Sequence, residues 1–251
     1  MRSKRFWITC ALVITVTLAV SSNASAVTHP PDVNPADFTC AGVTNPLFPL
    51  TPGMKWTYTG ESEGVATSNT VEVTSCSRVI EDVTVTVVHD TAIEGGVKVE
   101  ETFDYFAIAC DGTVWYFGED STEFDPVTGE PISTEGSWIS GENDADAGFI
   151  MLASPQVGNR YYQEFAPKVA VDLAKVISLN GSASTPFTGA IDNLLVTKET
   201  SQLDPGVVEN KYYASGIGFI RGDMVKGGDE FAELTSFTTG TATCPPPPPV
   251  P

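Results

Sequence analysis

Glu142, Asp144 and Asp146 occupy alternate positions in Glu142-Asn143-Asp144-Ala145-Asp146-Ala147-Gly148, a spacing with which calcium loops offer carboxylate oxygens to a hard cation. The turning glycine comes one residue late, and no bidentate glutamate follows at the required spacing. Ca²⁺ is still the one cofactor this chain suggests, because extracellular calcium is concentrated enough to fill weak sites. A second chemistry open to carboxylates is glycoside hydrolysis, in which two carboxyls face each other across ~5–9 Å. Glu119, Glu123 and Asp125 lie in one acidic run, with Glu101, Asp104 and Glu164 elsewhere. Among 32 acidic residues such groupings arise by chance, and spacing alone assembles no pair.

Nucleophile–base catalysis has less to draw on. The chain contains two histidines, His29 and His89. No G-x-S-x-G elbow is present, the nearest phrase being Tyr213-Ala214-Ser215-Gly216-Ile217-Gly218. His89 adjoins Asp90, but neighbours on a strand point to opposite faces, so the pair is not preassembled. No catalytic residue is assigned on these grounds.

Composition narrows the class of partner. The chain has 251 residues, 13 Lys+Arg against 32 Asp+Glu, a formal charge of −19 and 41% hydrophobic residues. That apolar fraction suits a folded globular protein, and the negative charge argues against nucleic acid or an anionic membrane surface as partner. Arg2, Lys4 and Arg5, the apolar stretch Phe6 to Val20 and Ala24-Ser25-Ala26 form the parts of a secretory leader, with cleavage expected near Ala26. Fifteen apolar residues would span ~22 Å, short of a ~30 Å hydrocarbon core. The mature chain is therefore expected to have no transmembrane segment and to be periplasmic or secreted.

Export gives the cysteines their meaning. Once Cys10 leaves with the leader, Cys40, Cys76, Cys110 and Cys244 remain, an even set that reads as two disulfides rather than a zinc site. Residues 27–39 read as an extended lead-in and 40–243 as one antiparallel domain. The run Cys244-Pro245 to Pro251 reads as a stiff polyproline tail.

Within the domain, Thr70 to Gly118 alternates with a two-residue period. Glu81-Asp82, Gly95-Gly96 and Asp111-Gly112 are suited to tight hairpin loops. If each loop has two residues, Ile80 faces Val83, Glu94 faces Val97 and Cys110 faces Thr113. One face then collects Ile80, Val83, Val85, Val87, Phe106, Ile108, Trp115 and Phe117, the expected core side. The same register sets Cys76 and Cys110 two strands apart and about five residues out of line, beyond the ~7 Å a disulfide allows. Each terminal cysteine should therefore take one of the inner two.

Further strands are expected at 136–139, 160–165, 191–197, 210–220 and 231–237. Residues 169–179 fit either a strand or a helix face, and their valines favour strand. With no interleaved helices the fold class is all-β, an antiparallel barrel, half-barrel or sandwich of about ten strands. The aromatics Phe106, Trp115 and Phe117, with Ile108, would form either packed core or the wall of an apolar ligand pocket.

Several phrases together carry a resemblance. They are Asn45-Pro46-Leu47-Phe48-Pro49-Leu50 before Pro52-Gly53-Met54-Lys55-Trp56-Thr57-Tyr58, then Asp111-Gly112-Thr113-Val114-Trp115-Tyr116-Phe117-Gly118-Glu119, Gly136-Ser137-Trp138, Val157-Gly158 with Tyr161-Tyr162-Gln163-Glu164, and Lys211-Tyr212-Tyr213-Ala214-Ser215-Gly216-Ile217-Gly218. This set resembles a group of uncharacterised, secreted bacterial β-rich proteins. The resemblance implies export and a barrel-like architecture, and brings no activity with it. The functional expectation is a secreted, non-catalytic binding or envelope protein with room for a small apolar ligand. The alternative is a Ca²⁺-stabilised secreted hydrolase working through paired carboxylates.

Overall fold

The computed structural model describes residues 29–251. The expected leader and its cleavage point at Ala26 lie outside the described residues. The order is β1 (Met54–Ser62), β2 (Val65–Ile80), β3 (Val83–Glu94), β4 (Val97–Ile108), β5 (Val114–Phe124), β6 (Pro131–Ser133) and β7 (Trp138–Ile139). Then follow β8 (Asp146–Met151), β9 (Arg160–Ala166), β10 (Ala170–Thr185), β11 (Gly189–Ser201), β12 (Val208–Ala214), β13 (Gly218–Lys226) and β14 (Phe231–Thr239). All pairings are antiparallel. Starting from β4, hydrogen-bonded neighbours run β3, β2, β1, β14, then down through β13 to β8, and on to β5, which returns to β4. The sheet closes into a barrel of 12 strands, with β6 and β7 attached to β5 outside the ring. Closure leaves no open edge in that ring to recruit another chain.

Two of the three hairpin loops have the expected form. Ile80 faces Val83 around Glu81 and Asp82, at φ 47° and 61°, and Glu94 faces Val97 around Gly95 and Gly96, at φ 57° and 87°. Paired left-handed residues give a turn whose twist matches the strands it joins. The third loop is longer. Ile108 faces Val114, and the Ala109 N–H donates to the Thr113 carbonyl at 2.9 Å, so Cys110 does not face Thr113. Cys110 is held outward by its disulfide to Cys40 and by its N–H, which donates to the Asp37 carbonyl at 2.6 Å.

Register shifts also change which residues share a face. A shift between Ala92 and Ile93 moves β4 by one residue against β3, and a second between Asp104 and Phe106 moves β5 back. A one-residue slip turns a strand over. Trp115 and Phe117 therefore stay with Ile80, Val83, Val85 and Val87, whereas Phe106 and Ile108 go to the opposite face with Val88, Val114 and Tyr116. The face expected to be the core is the outer one over β2–β5, and the mixed face lines the barrel.

The outer apolar face is covered by the chain ends. The lead-in is not extended throughout: Pro35–Phe38 makes a 3₁₀ turn whose first N–H groups Asn34 helps satisfy. It sets Phe38 edge-on against Trp115 and Phe117, at 5.7 and 5.6 Å. The proline tail lies against the barrel, where the Thr122 hydroxyl donates to the Pro249 carbonyl at 2.8 Å. Disulfides Cys40–Cys110 and Cys76–Cys244, with Cα atoms 5.2 and 5.0 Å apart, tie both ends down. Removing the first by Cys40→Ser with Cys110→Ser opens a 70-residue loop and should cost about 4 kcal/mol. Calorimetry of the mature chain should show a Tm lower by about 10 °C, and an unchanged Tm would contradict this account of the lead-in.

The second half differs from expectation in detail. Residues 170–179 are strand, as the valines favoured, within β10, and Val169 ends the turn that precedes it. The span 210–220 is two strands, because Gly216 and Gly218 at φ 83° and 94° turn the chain between β12 and β13. β6 and β8 have no clear alternation in the sequence.

Candidate functional site

The barrel interior changes character along its axis. At one end, residues 45–53 cross the mouth. Asn45 anchors them: its side-chain amide donates to the carbonyls of Gly112 and Leu152, at 2.9 and 3.2 Å, and its own carbonyl accepts from the Leu47 N–H. The Gly216 N–H donates to Pro46 at 2.7 Å, tying this strap to the β12–β13 turn. Alternation on β4 and β1 then brings Phe106 up against Phe48, centroids 5.0 Å apart, with Trp56 and Tyr58 alongside. The Trp56 indole donates to Ile217 and the Tyr58 hydroxyl to Phe219, which satisfies both polar tips.

Beneath the strap is a cavity of about 90 Å³. Its walls are Phe48, Leu50, Trp56, Val73, Val88 and Phe106, and its polar lining is Asp90, Asp104 and Lys211. Asp90 accepts from the Asn69 amide at 2.7 Å. Asp104 accepts from the Tyr116 hydroxyl at 2.5 Å, and the same hydroxyl lies 3.1 Å from Glu119.

Deeper along the axis the interior becomes a carboxylate network. Lys211 is its cation, 2.9 Å from Glu199 and 3.6 Å from Glu209. Glu199 also accepts from Thr197, Gln163 and Tyr213, at 2.8, 3.2 and 3.3 Å. Glu164 accepts from the Trp138 indole at 3.2 Å. Gly222 makes room for Glu209: a Cβ there would fall 2.4 Å from the Glu209 carboxylate.

Loss of water dominates the electrostatics. Burial, with the Glu100 charge adding to it, pushes Asp104 up to about 7 against the pull of Tyr116. Burial likewise lifts Glu209 to about 7 and Asp172 to about 6. Glu119 and Glu164 stand well above the usual carboxylate range, through burial and then the charges of neighbouring carboxylates. For Lys211 burial favours the neutral form, but Glu199 and Glu209 outweigh it and hold the ammonium charged. These are the conditions under which carboxyl groups keep their protons near neutral pH.

The sequence-derived candidates are dispersed. Phe106 lines the cavity and Ile108 packs on the same inner cluster. Trp115 and Phe117 belong to the outer cluster under Phe38. Glu142 and Asp144 are exposed in a turn where Asn143 and Asp144 take φ 54° and 64°, and Asp146 pairs with His29 at 3.1 Å. Among the described residues no group of three or more His, Cys, Asp or Glu side chains is arranged to hold a metal ion. Of the hydrolase candidates, Asp104, Glu119 and Glu164 converge inside the barrel. Glu101 instead bonds His89 and Lys98, at 2.8 and 3.0 Å, and Asp125 accepts from the Val127 and Thr128 N–H groups.

Sequence reasoning missed Lys211, Tyr213, Glu199, Glu209 and Asn45. A signal existed for the first two: Lys211-Tyr212-Tyr213 on a strand puts a lysine and a tyrosine on one face, an odd pairing for a solvated surface.

No family model matches the chain, and no curated protein matches it. Two solved structures show a distant similarity to it. One, from Bacteroides fragilis, is assigned as an exported protein with a YmcC-like fold; it is 14% identical, with 77% of this chain and 99% of that one covered and a TM-score of 0.44. The other, from Parabacteroides distasonis, is assigned as a lipoprotein; it is 10% identical, with 78% and 99% covered and a TM-score of 0.41. Function therefore has to be argued from the interior itself. The two disulfides belong to an oxidising, extracytoplasmic compartment.

Proposed function

We propose that the protein is an exported, non-catalytic β-barrel that binds a small apolar molecule within its interior. The observation that carries this reading is the cavity of about 90 Å³ beneath the strap at residues 45–53, walled by aromatic and aliphatic side chains. Protein interiors pack to crystal-like density, so an apolar void is retained at a cost in lost contacts that an occupant would recover. The void suits a small molecule, and a longer one enters by displacing Phe48 and Leu50 of the strap. The strap is suited to that movement, because its hydrogen bonds to the barrel sit at its two ends, at Asn45 and Pro46 on one side and at Gly53 on the other, rather than in a strand ladder.

The test is calorimetric titration of the mature protein with 1-butanol. Saturable heat is expected, and it should vanish in Val73→Phe, where the added ring occupies the void. Saturable heat that persists in Val73→Phe, or none in the unaltered protein, would contradict the reading.

A further inference from the structure

We propose that the cavity selects apolar molecules bearing a primary amine, the alkyl body lying against Trp56, Val73 and Phe106 and the ammonium group meeting Asp104 and Asp90. The inference deepens the ligand-binding reading and rests on it.

The polar lining decides which head group is tolerated. A fatty acid would need a free cation. Lys211 is the one basic residue lining the cavity, and it is already held between Glu199 at 2.9 Å and Glu209 at 3.6 Å. At about pH 8, above the value of about 7 to which Asp104 is raised, an anion placed there would instead face the carboxylates of Asp90 and Asp104 in a desolvated site, which is costly. A neutral alcohol would gain the walls and one hydrogen bond. An ammonium group gains the walls together with charge-assisted hydrogen bonds to carboxylate oxygens. The ring of Tyr58 on the same lining favours a cation further.

The experiment compares n-butylamine, 1-butanol and butyrate by calorimetric titration of the mature protein at about pH 8, where the amine is cationic. Butylamine should bind about tenfold more tightly than 1-butanol, and butyrate more weakly than either. In Asp104→Asn the amine-to-alcohol ratio should fall to about twofold or less. Asp90→Asn is the second variant, expected to lower the ratio in the same direction, and it serves alone if Asp104→Asn does not fold. Equal affinity for amine and alcohol would overturn the amine inference and leave the apolar pocket standing. Binding of none of the three would overturn the pocket reading itself. An amine preference unchanged in the foldable variants would place the cation elsewhere and overturn this assignment.

Discussion

Thermal stability should rise as the pH is lowered from about 8 to about 5, the reverse of proteins whose carboxylates are stabilised by salt bridges. The sign follows from the interior acids. Asp104, Glu209 and Asp172 have folded-state values of about 7, 7 and 6, above their unfolded values near 4. Between the unfolded and folded values the native state holds protons that the unfolded chain releases, so stability falls with rising pH. The contribution is complete below the unfolded values and is lost as the pH climbs through about 6 to 7. Taken alone, Asp104 would account for roughly 4 kcal/mol and Glu209 roughly 3, and because these acids interact the total is smaller than the sum. A drop in Tm of ~10–20 °C between about pH 5 and 8 is expected for a chain of this size. Glu101 works the other way: burial raises it, but Lys98 and His89 more than reverse that, so its contribution is lost as the pH falls below the ordinary glutamate range. A stability optimum near pH 4–5 follows.

Net charge alone would give a similar trend, since the chain is strongly acidic. The variants Glu119→Gln and Glu164→Gln separate the causes. Both replace buried acids while keeping an oxygen for Tyr116 or Trp138, and each should raise Tm at about pH 8 more than at about pH 5. Differential scanning calorimetry across the range checks it. A flat or rising Tm from pH 5 to 8, or variants with no effect on the slope, would count against the buried-acid interior.

Replacing Lys211 by methionine should produce the largest loss of any interior substitution. It leaves Glu199 and Glu209 in the barrel without their cation, and breaking a buried pair in this way costs about 3–5 kcal/mol. The loss should be full at about pH 8 and smaller at about pH 5, because Glu209, held up to about 7, takes a proton there. Adding Glu209→Gln should restore part of the stability at the higher pH. Urea unfolding of the variants at both pH values measures this. Equal losses at the two pH values would mean that Lys211 acts through packing and not through charge.

Much of the architecture was legible because hairpins are local. The alternation from Thr70 to Gly118 and the Glu81-Asp82 and Gly95-Gly96 turns set strand type and most of the pairing. The exclusion of a Cys76–Cys110 bridge needed only their distance across strands. What could not be read was where a bulge falls. The shift at Ala92/Ile93 sets one extra residue, Val99, into β4, and nothing in the local residue types marks it. Together with the shift at Asp104/Phe106, which resets β5 against β4, it separated Phe106 and Ile108 from Trp115 and Phe117.

The site was less legible than the fold, for a related reason. An acidic residue on a half-buried strand reads as its solvated side, so Asp104, Glu119 and Glu164 read from the sequence as chance groupings. Closure of the barrel turned the mixed face inward and left the greasier face to be covered by Phe38 and the disulfide-held lead-in. The position of Asn45, far from Gly112 and Leu152 in the chain, is likewise a property of the closed ring alone.

The central claim is that the ligand enters the barrel and not a surface patch. Intermolecular nuclear Overhauser contacts between n-butylamine and the aromatic protons of the folded protein test it most directly. Contacts from the alkyl chain to the rings of Trp56, Phe106 and Phe48 are predicted, with none to Phe187, which is exposed on the β10–β11 loop. Contacts to Phe187 or to the outer ring of Trp115, with the interior rings silent, would contradict the account.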